Sequence, residues 1–436
     1  MKHSDMGKKI AALTLGCKVN AYDTEAMLEL FSACGYEIVD FNEFADVYLV
    51  NTCTVTSLSD KKSRQMLRRA RRQGPGAVVV AAGCYAQVSP EAVLAMDEVD
   101  LAVGTKDRMR IVDIVENYTR LAGQRCLVED IMDEREFPRL STTKQESRTR
   151  AFLKIQEGCD RYCSYCIIPY ARGHSRSRPL EEVVAEAERL AKSGYKEVVL
   201  AGIHVASYGK DLGNTDLLSA ITKLHELEGI RRIRMSSIDP RAVSEEFIQT
   251  ISRLPKVCPH FHLSLQSGCD RTLSLMNRKY TTAEYRAVAE MLRKSIRDVA
   301  LTTDIIVGFP GETDEDFYCS YKFVRAMRYA RIHVFPYSPK EKTAAAGFTD
   351  QVPSAVKSTR AAEMISLGKE LNRDFLECYL GKELEVLYET EPEPGVYEGY
   401  SGNYITVRTE SNKNLINEIR RVKVARRVGE YLYSSV

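Results

Sequence analysis

Between Ala151 and about Leu380 a short apolar run followed by a longer amphipathic one recurs six times, and no other feature restricts the fold as strongly. The predicted strands are Ala151–Ile155, Glu197–Gly202, Arg232–Ser237, His260–Gln266, Ala300–Phe309 and Arg331–Phe335. Predicted helices follow them at Leu180–Ser193, Leu217–Leu227, Glu245–Leu254, Thr282–Ser295, Glu315–Arg328 and Pro353–Leu380. Strand–helix repetition calls for parallel strands joined by helical crossovers. Six such pairs predict an α/β domain built as a partial (β/α)6 barrel, with its chemistry at the C-terminal strand ends. Cys159, Asp239, Gln266, Asp304 and the loop Gly308–Glu312 all fall on that rim.

The loop after the first of these strands carries Cys159, Cys163 and Cys166. Thiolates so close together are soft ligands that select iron–sulfur clusters, zinc or Cu(I). Structural zinc wants four ligands, commonly from a second CxxC or a His pair, and none follows nearby. Ferredoxin-type clusters also use four cysteines. Three cysteines on a four-iron cluster leave one iron open to bind something.

From Ile10 to about Gly123 the alternation also points to a small parallel α/β sheet. Its strands are Ile10–Leu15, Val47–Val50, Ala77–Ala82 and Leu101–Val103. Its helical stretches are Thr24–Cys34, Leu58–Arg72, Pro90–Met96 and Met109–Leu121. Cys17, Cys53 and Cys84 each lie just past a predicted strand, on the edge where open α/β sheets bind ligands. Placed this way they suggest a second cluster with three protein ligands, the competing reading being buried apolar-like thiols.

Gln124–Arg150 is charged and aperiodic and reads as a linker. After Gly381 short alternating segments punctuated by glycine predict a small all-β barrel of the size that binds oligonucleotides. The domains are therefore drawn at 1–123, 124–149, 150–380 and 381–436. Net charge is only +2 over 436 residues, so nucleic-acid contacts must come from local patches. One is Lys61–Arg72, with seven cations and no anion; Lys61, Arg64, Arg68 and Arg72 share a helix face. The other runs from Lys413 to Arg427 and includes Arg420, Arg421 and Lys423, while Tyr400, Tyr404, Tyr431 and Tyr433 offer rings either for base stacking or, as is commoner in a small β module, for its core and rim. No run approaches the roughly 18 apolar residues of a membrane helix, and the start does not resemble a signal peptide. A cytoplasmic protein without a membrane partner is expected, in which twelve cysteines read as metal or redox ligands before disulfides.

The motifs closely resemble the methylthiotransferases, a branch of the radical S-adenosylmethionine (SAM) enzymes, and the resemblance covers nearly the whole chain. Glu157–Cys166 is similar to the superfamily's cluster loop, in which the open iron binds SAM. Thr14–Asn20, Asn51–Thr56 and Gly83–Gln87 resemble the three cysteine motifs of the family's N-terminal domain. Leu263–Gly268, Met276–Arg278 and Asp304–Glu312 match its barrel, and the C-terminal module resembles the TRAM domain, an RNA-binding barrel. The resemblance implies two 4Fe–4S clusters, one on Cys159, Cys163 and Cys166 that cleaves SAM, the other on Cys17, Cys53 and Cys84. It also implies SAM contacts from Ser237, Gln266 and Asp304, and it implies that the N-terminal cysteine edge faces the barrel rim. The forms Gly16-Cys17-Lys18-Val19-Asn20 and Asn51-Thr52-Cys53-Thr54-Val55-Thr56 are similar to the branch acting on N6-threonylcarbamoyladenosine in tRNA. One departure is Lys342, where the family commonly has Gly.

What the resemblance implies is methylthiolation of carbon 2 of that nucleoside at position 37, 3′ of the anticodon. One SAM would generate a 5′-deoxyadenosyl radical and a second would donate methyl to a sulfur on the N-terminal cluster. An adenine carbon–hydrogen bond offers a general base no acidic proton, so the cofactor carries the difficult step. The implied partners are the tRNA anticodon stem-loop and a flavodoxin- or ferredoxin-type electron donor, with the chain acting as a monomer. Competing readings are the same chemistry on isopentenyladenosine tRNA or on a ribosomal-protein aspartate, and a non-catalytic iron–sulfur tRNA-binding protein. The other cysteines (Cys34, Cys126, Cys258, Cys269, Cys319, Cys378) show no ligand pattern and read as structural.

Overall fold

The computed structural model describes residues 7–118, 126–142 and 149–435. Its first unit is an open α/β sheet. Chain order runs β1 (Lys9–Thr14), α1 (Lys18–Ala33), β2 (Glu37–Val39), β3 (Val47–Thr52), α2 (Ser57–Gln73), β4 (Val78–Gly83) and α3 (Cys84–Val88). It continues through α4 (Pro90–Leu94), β5 (Leu101–Val103), α5 (Ile111–Glu116) and β6 (Cys126–Leu127). The strands lie in the order β2-β1-β3-β4-β5-β6, all parallel. Every residue of β3 is buried, as a central strand covered on both faces requires. One face packs Tyr48, Val50, Leu67, Val79 and Ala81, and the other packs Met27, Phe31, Leu49, Val80 and Ile111. The Thr56 side chain accepts from Ser59 N at 3.1 Å and so caps α2, a bond worth about 1 kcal/mol.

Two details differ from the periodicity. The helix expected over Met109–Leu121 is one 3-10 turn, Asp107–Arg110, followed by α5, and 119–121 lie outside the described residues. Within the stretch read as a linker, β6 pairs with β5 and Ile131–Asp133 forms a further 3-10 turn, while 143–148 lie outside the described residues.

The segment Lys154–Arg178 belongs to this same compact unit, as does Ser338–Ala346. It leaves β7 (Arg150–Lys154), forms β8 (Gln156–Glu157), α6 (Ile168–Arg172) and β9 (Arg176–Ser177), and closes on itself by the antiparallel pairing of β8 with β9.

The second unit holds the barrel and the β module. Its elements are α7 (Leu180–Lys192), β10 (Glu197–Ala201), α8 (Leu217–Glu226), β11 (Arg232–Met235), α9 (Glu245–Ile251), β12 (His260–His262) and α10 (Asp270–Leu275). After them come α11 (Thr282–Ser295), β13 (Ala300–Val307), α12 (Asp314–Met327), β14 (Arg331–Pro336) and α13 (Ser354–Glu377). Strands β7, β10 and β11 form one sheet and β12, β13 and β14 another. Single parallel bridges, Ile233 to Val257 and Ile238 to Leu263, connect the two, giving the expected open six-stranded barrel. Capping boxes at Thr281/Glu284 and Thr313/Asp316 start α11 and α12. The expected strand His260–Gln266 shortens to three residues; beyond it Gln266, at φ +71°, pairs through its backbone with Asp304 and Ile306.

The module closes as a five-stranded barrel, β15 (Glu383–Glu393), β16 (Val396–Ser401), β17 (Thr406–Glu410), β18 (Ile419–Val428) and β19 (Tyr431–Ser435). Val386, Tyr388, Val407, Val424 and Leu432 fill it, and Leu376 at the end of α13 and Tyr379 just past it pack against it.

Candidate iron–sulfur centres

Cys17, Cys53 and Cys84 follow β1, β3 and β4, which are neighbours in the sheet, so three residues distant in sequence share one edge. Cys17 occupies the N-cap of α1 and is exposed; Cys53 and Cys84 are buried, and Cys84 opens α3. Gly16, at φ +105°, carries the chain so close to Cys53 that a Cβ there would lie 3.0 Å from the Cys53 sulfur. Gly83, at φ +90°, would drive a Cβ into Asn51 Oδ1. The two motif asparagines brace this edge. Asn20 Nδ2 donates to Leu15 O at 2.7 Å and Thr52 O at 3.0 Å, and Asn51 Nδ2 donates to Asn20 O at 2.9 Å. Ser63 on α2 donates to Cys53 O at 3.1 Å and accepts from Cys53 N at 3.3 Å.

The second loop is held at both ends. Cys159 N donates to Gly173 O at 3.0 Å, Cys166 N donates to Cys163 O at 2.9 Å, and Ala345 N donates to Ser164 O at 2.7 Å. Helix α6 follows directly and packs Ile167 and Ala171 against Cys84 and Val88. Both cysteine sets thus belong to one compact unit.

Burial pushes the Cys159 and Cys84 thiols up to about 11 and raises Cys53 as well. Against burial, Arg172 pulls Cys84 down, and its Nε lies 3.2 Å from the Cys84 sulfur. Thiols this reluctant to ionise become thiolates when a metal replaces the proton. Among the described residues no three His, Cys, Asp or Glu side chains converge on a single ion. A cubane instead spreads its thiolates over different irons. An all-sulfur donor set on loops with a buried cation beside one sulfur fits a cluster.

Beside Cys84 lies a charged group that the periodicity does not reveal. Asp23, Lys154, Glu157 and Arg172 have fully buried side chains and Arg108 is 2% exposed. Lys154 Nζ is 2.7 Å from Asp23 Oδ1, Arg172 Nη1 is 2.8 Å from both Asp23 Oδ2 and Glu157 Oε1, and Arg108 pairs with both carboxylates. Burial alone would raise the two carboxyls; Arg172, Lys154 and Arg108 hold Glu157 well below the usual range and keep Asp23 low too. The available signal was Lys154, a charge inside an apolar strand. Lys340 was missed as well: it is buried, its Nζ donates to Thr54 Oγ1 at 2.9 Å and it pairs with Asp60. Lys342 takes φ +71°, the conformation a glycine would supply, and donates to Val88 O at 3.2 Å.

In the second unit Asp304 lies in the body of β13, not at its end, 3.2 Å from His262 Nε2. Ser237 is exposed two positions past β11, and Asp239, which burial would raise, is held low by His204, Arg241 and Arg278.

The basic patches are partly paired within the protein itself. On α2, Lys61 and Arg72 are exposed, but Arg64 donates to Tyr85 OH at 2.9 Å and Arg68 lies 3.6 Å from Glu98. On β18, Arg421 and Lys423 stand opposite Glu385 and Glu383, and Arg420 pairs with Glu418, so acidic partners offset much of that charge. Tyr400 and Tyr404 do not present free faces. Arg150 lies 4.6 Å over Tyr400, and Tyr404 stacks on His260 at 4.7 Å with Arg234 4.6 Å above it. Tyr431 and Tyr433 are covered by Arg408 and Arg426. Of the remaining cysteines Cys258 and Cys269 are buried, Cys126 is half-buried, and Cys34, Cys319 and Cys378 are exposed.

Residues 153–324 match the Radical SAM superfamily, and residues 9–104 match the uncharacterized protein family UPF0004. The threonylcarbamoyladenosine tRNA methylthiotransferase MtaB of Bacillus subtilis is 41% identical over 95% of this chain and 93% of its own. The Aquifex aeolicus protein of that name is 39% identical over 94% and 99%. A Thermotoga petrophila tRNA-2-methylthio-N(6)-dimethylallyladenosine synthase is 37% identical over 97% and 96%. Among solved structures the radical SAM methyltransferase TsrM of Kitasatospora setae shares the fold, at TM-score 0.57 and 15% identity over 83% of this chain and 91% of that one. Because the identity runs through the N-terminal sheet, the barrel and the C-terminal module alike, the chain belongs to the radical SAM methylthiotransferases, enzymes that work with SAM and two 4Fe–4S clusters.

Proposed function

We propose that this enzyme methylthiolates carbon 2 of N6-threonylcarbamoyladenosine at position 37 of tRNA, consuming one SAM for radical generation and one as methyl donor. The observation that carries it is 41% identity across 95% of the chain to a relative named for that nucleoside. The relative named for dimethylallyladenosine, at 37%, keeps the isopentenyladenosine reading as the rival. The motif forms around Cys17 and Cys53 favour the first.

In this reading Cys159, Cys163 and Cys166 hold the SAM cluster, and Cys17, Cys53 and Cys84 hold the auxiliary one. The chemistry those groups supply is one-electron cleavage of SAM and delivery of a methylated sulfur. The chain's own part is to hold the ligands. Asn20, Asn51 and Ser63 set the auxiliary loops, and Ala345 N and Gly173 O pin the initiating loop. Ser237, Gln266 and Asp304 are proposed to contact SAM. The exposed cations Lys61, Arg72, Arg420, Arg421 and Lys423, together with Arg64 and Arg68, are proposed to meet tRNA phosphates, the last two after exchanging their protein partners. The module at 381–436 serves as a TRAM-like RNA grip, 1–123 as the auxiliary-cluster domain, 124–149 as the linker and 150–380 as the radical SAM domain. The enzyme works as a cytoplasmic monomer fed by a flavodoxin- or ferredoxin-type donor. No helix among the described residues is long and apolar enough to cross a membrane.

Mass spectrometry of tRNA nucleosides from a deletion strain tests the substrate. Loss of 2-methylthio-N6-threonylcarbamoyladenosine is expected; an unchanged nucleoside profile, or loss of the isopentenyl counterpart instead, refutes it. Anaerobically reconstituted protein should hold about eight irons, four per cluster, and Cys53→Ala or Cys163→Ala should each lower that count.

A further inference from the structure

The buried charged group beside Cys84 is not neutral. Among the described residues the ion pairs of Arg108, Lys154 and Arg172 go to Asp23 and Glu157. Arg176, 3% exposed, adds a further cation: its Nη2 donates to Arg172 O at 2.7 Å, while its Nε and Nη1 are buried without a hydrogen-bond partner. An excess of buried positive charge is costly unless an anion lies within reach. Arg172 reaches an atom that becomes anionic when it ligates a metal, since its Nε–H points at the Cys84 sulfur, 3.2 Å away. Its Nη2 is simultaneously held by Asn20 Oδ1, and Asn20 braces the loops before Cys17 and Cys53. The guanidinium is therefore fixed at that sulfur and not merely near it.

Its place in the chain matters equally. Arg172 closes α6, the helix that leaves the Cys159–Cys166 loop, and Glu157, which it grips, stands two residues before Cys159. One side chain thus joins the initiating loop to a sulfur of the other cysteine set.

We propose that Arg172 is a positioning residue of the auxiliary cluster, donating a charged N–H···S hydrogen bond to the Cys84 thiolate and raising that cluster's reduction potential. This rests on the reading of Cys17, Cys53 and Cys84 as cluster ligands. Adding an electron makes a thiolate-bound cluster more negative, so a fixed adjacent cation favours the reduced form. Hydrogen bonds to the sulfurs and net local charge are the levers by which proteins set such potentials.

The test uses full-length protein carrying Cys159→Ala, Cys163→Ala and Cys166→Ala, labelled with 15N-arginine and reconstituted anaerobically, so that only the auxiliary cluster assembles. Pulsed EPR of the reduced cluster should show hyperfine coupling to an arginine nitrogen. In the same background Arg172→Gln should shift the midpoint potential in an EPR-monitored titration to more negative values. Arg172→Lys should retain part of the potential while losing the coupling. A cluster with no arginine coupling, or one whose potential is unmoved by Arg172→Gln, overturns the role of Arg172. Failure of this protein to assemble any cluster overturns the ligand reading beneath it. The coupling measurement needs no Arg172 substitution and decides the matter even where the glutamine variant does not fold.

Discussion

Glu197→Gln isolates the joint between barrel and β module. Glu197 is fully buried at the start of β10, with Arg234 Nε at 2.6 Å and Nη2 at 3.3 Å, Arg232 Nη1 at 3.8 Å and Arg150 Nη1 at 4.0 Å. The guanidiniums that it gathers reach into the module: Arg234 donates to Gly402 O and Ser401 O, and Arg232 to Tyr400 O and Glu385 O. Glutamine keeps the shape and removes the charge, leaving those cations, among the described residues, with Glu389, beside Arg150, and the half-exposed Glu385. Breaking a buried pair from one side costs about 3–5 kcal/mol, a large share of a typical stability of about 5–15 kcal/mol. Urea unfolding followed by tyrosine fluorescence should show the midpoint fall with little change of slope, since the chain has no tryptophan to obscure the signal. The pH dependence has a definite sign. Burial would raise this carboxyl, but Arg234 and its neighbours hold it below its ordinary value. Its contribution is then fully present above about pH 4.3, the unfolded value, and is lost as pH falls through the lower folded value. The gap between wild type and Glu197→Gln should therefore close on acidification below about pH 4. A loss under about 1 kcal/mol at neutral pH, or a gap that widens in acid, would refute the reasoning, since breaking a buried pair costs several times that.

Other substitutions probe the cysteine loops. Gly83→Ala places a Cβ against Asn51 Oδ1 at φ +90°; iron in reconstituted protein should drop from about eight to about four per chain, counting four per cluster, and full loading would contradict the geometry. Lys342→Gly should change stability by less than about 1 kcal/mol, because relief of left-handed strain offsets the extra freedom of the unfolded chain. Lys342→Val should cost about 2 kcal/mol, since a β-branched residue tolerates that conformation poorly; equal melting temperatures for the two variants would count against the strain. Lys340→Met strands Asp60, whose side chain is 16% exposed, and should cost about 2–3 kcal/mol. In a double-mutant cycle with Asp60→Asn the coupling should exceed about 1 kcal/mol, and additivity would dissolve the pair.

Much was legible from local pattern. The apolar run at Val47–Val50 became a strand because a strand covered on both faces needs nothing but apolar residues. The strand expected over His260–Gln266 is shorter, because backbone pairing past His262 is carried by a left-handed Gln266 that no propensity announces. The tyrosines of the module show a related limit of local pattern. Tyr404 is equally able to stack on a base or on His260, and only the packing of module on barrel selects the second.

The order of residues carries whatever depends on neighbours along the chain: strand–helix order, hence parallel sheets, and the three-thiol loop from Cys159 to Cys166, whose ligands stay together because eight residues cannot separate them. It also puts Cys17, Cys53 and Cys84 each at a strand end. That those ends are adjacent comes from the folded sheet, through its order β1-β3-β4. The tertiary structure alone set Arg172 beside Cys84, 88 positions away, and 149 positions from Asp23. The physical reason is that buried charges are arranged by whichever opposite charges the fold brings within about 3 Å, where removal from water makes pairing decisive, and that distance has no counterpart in sequence separation.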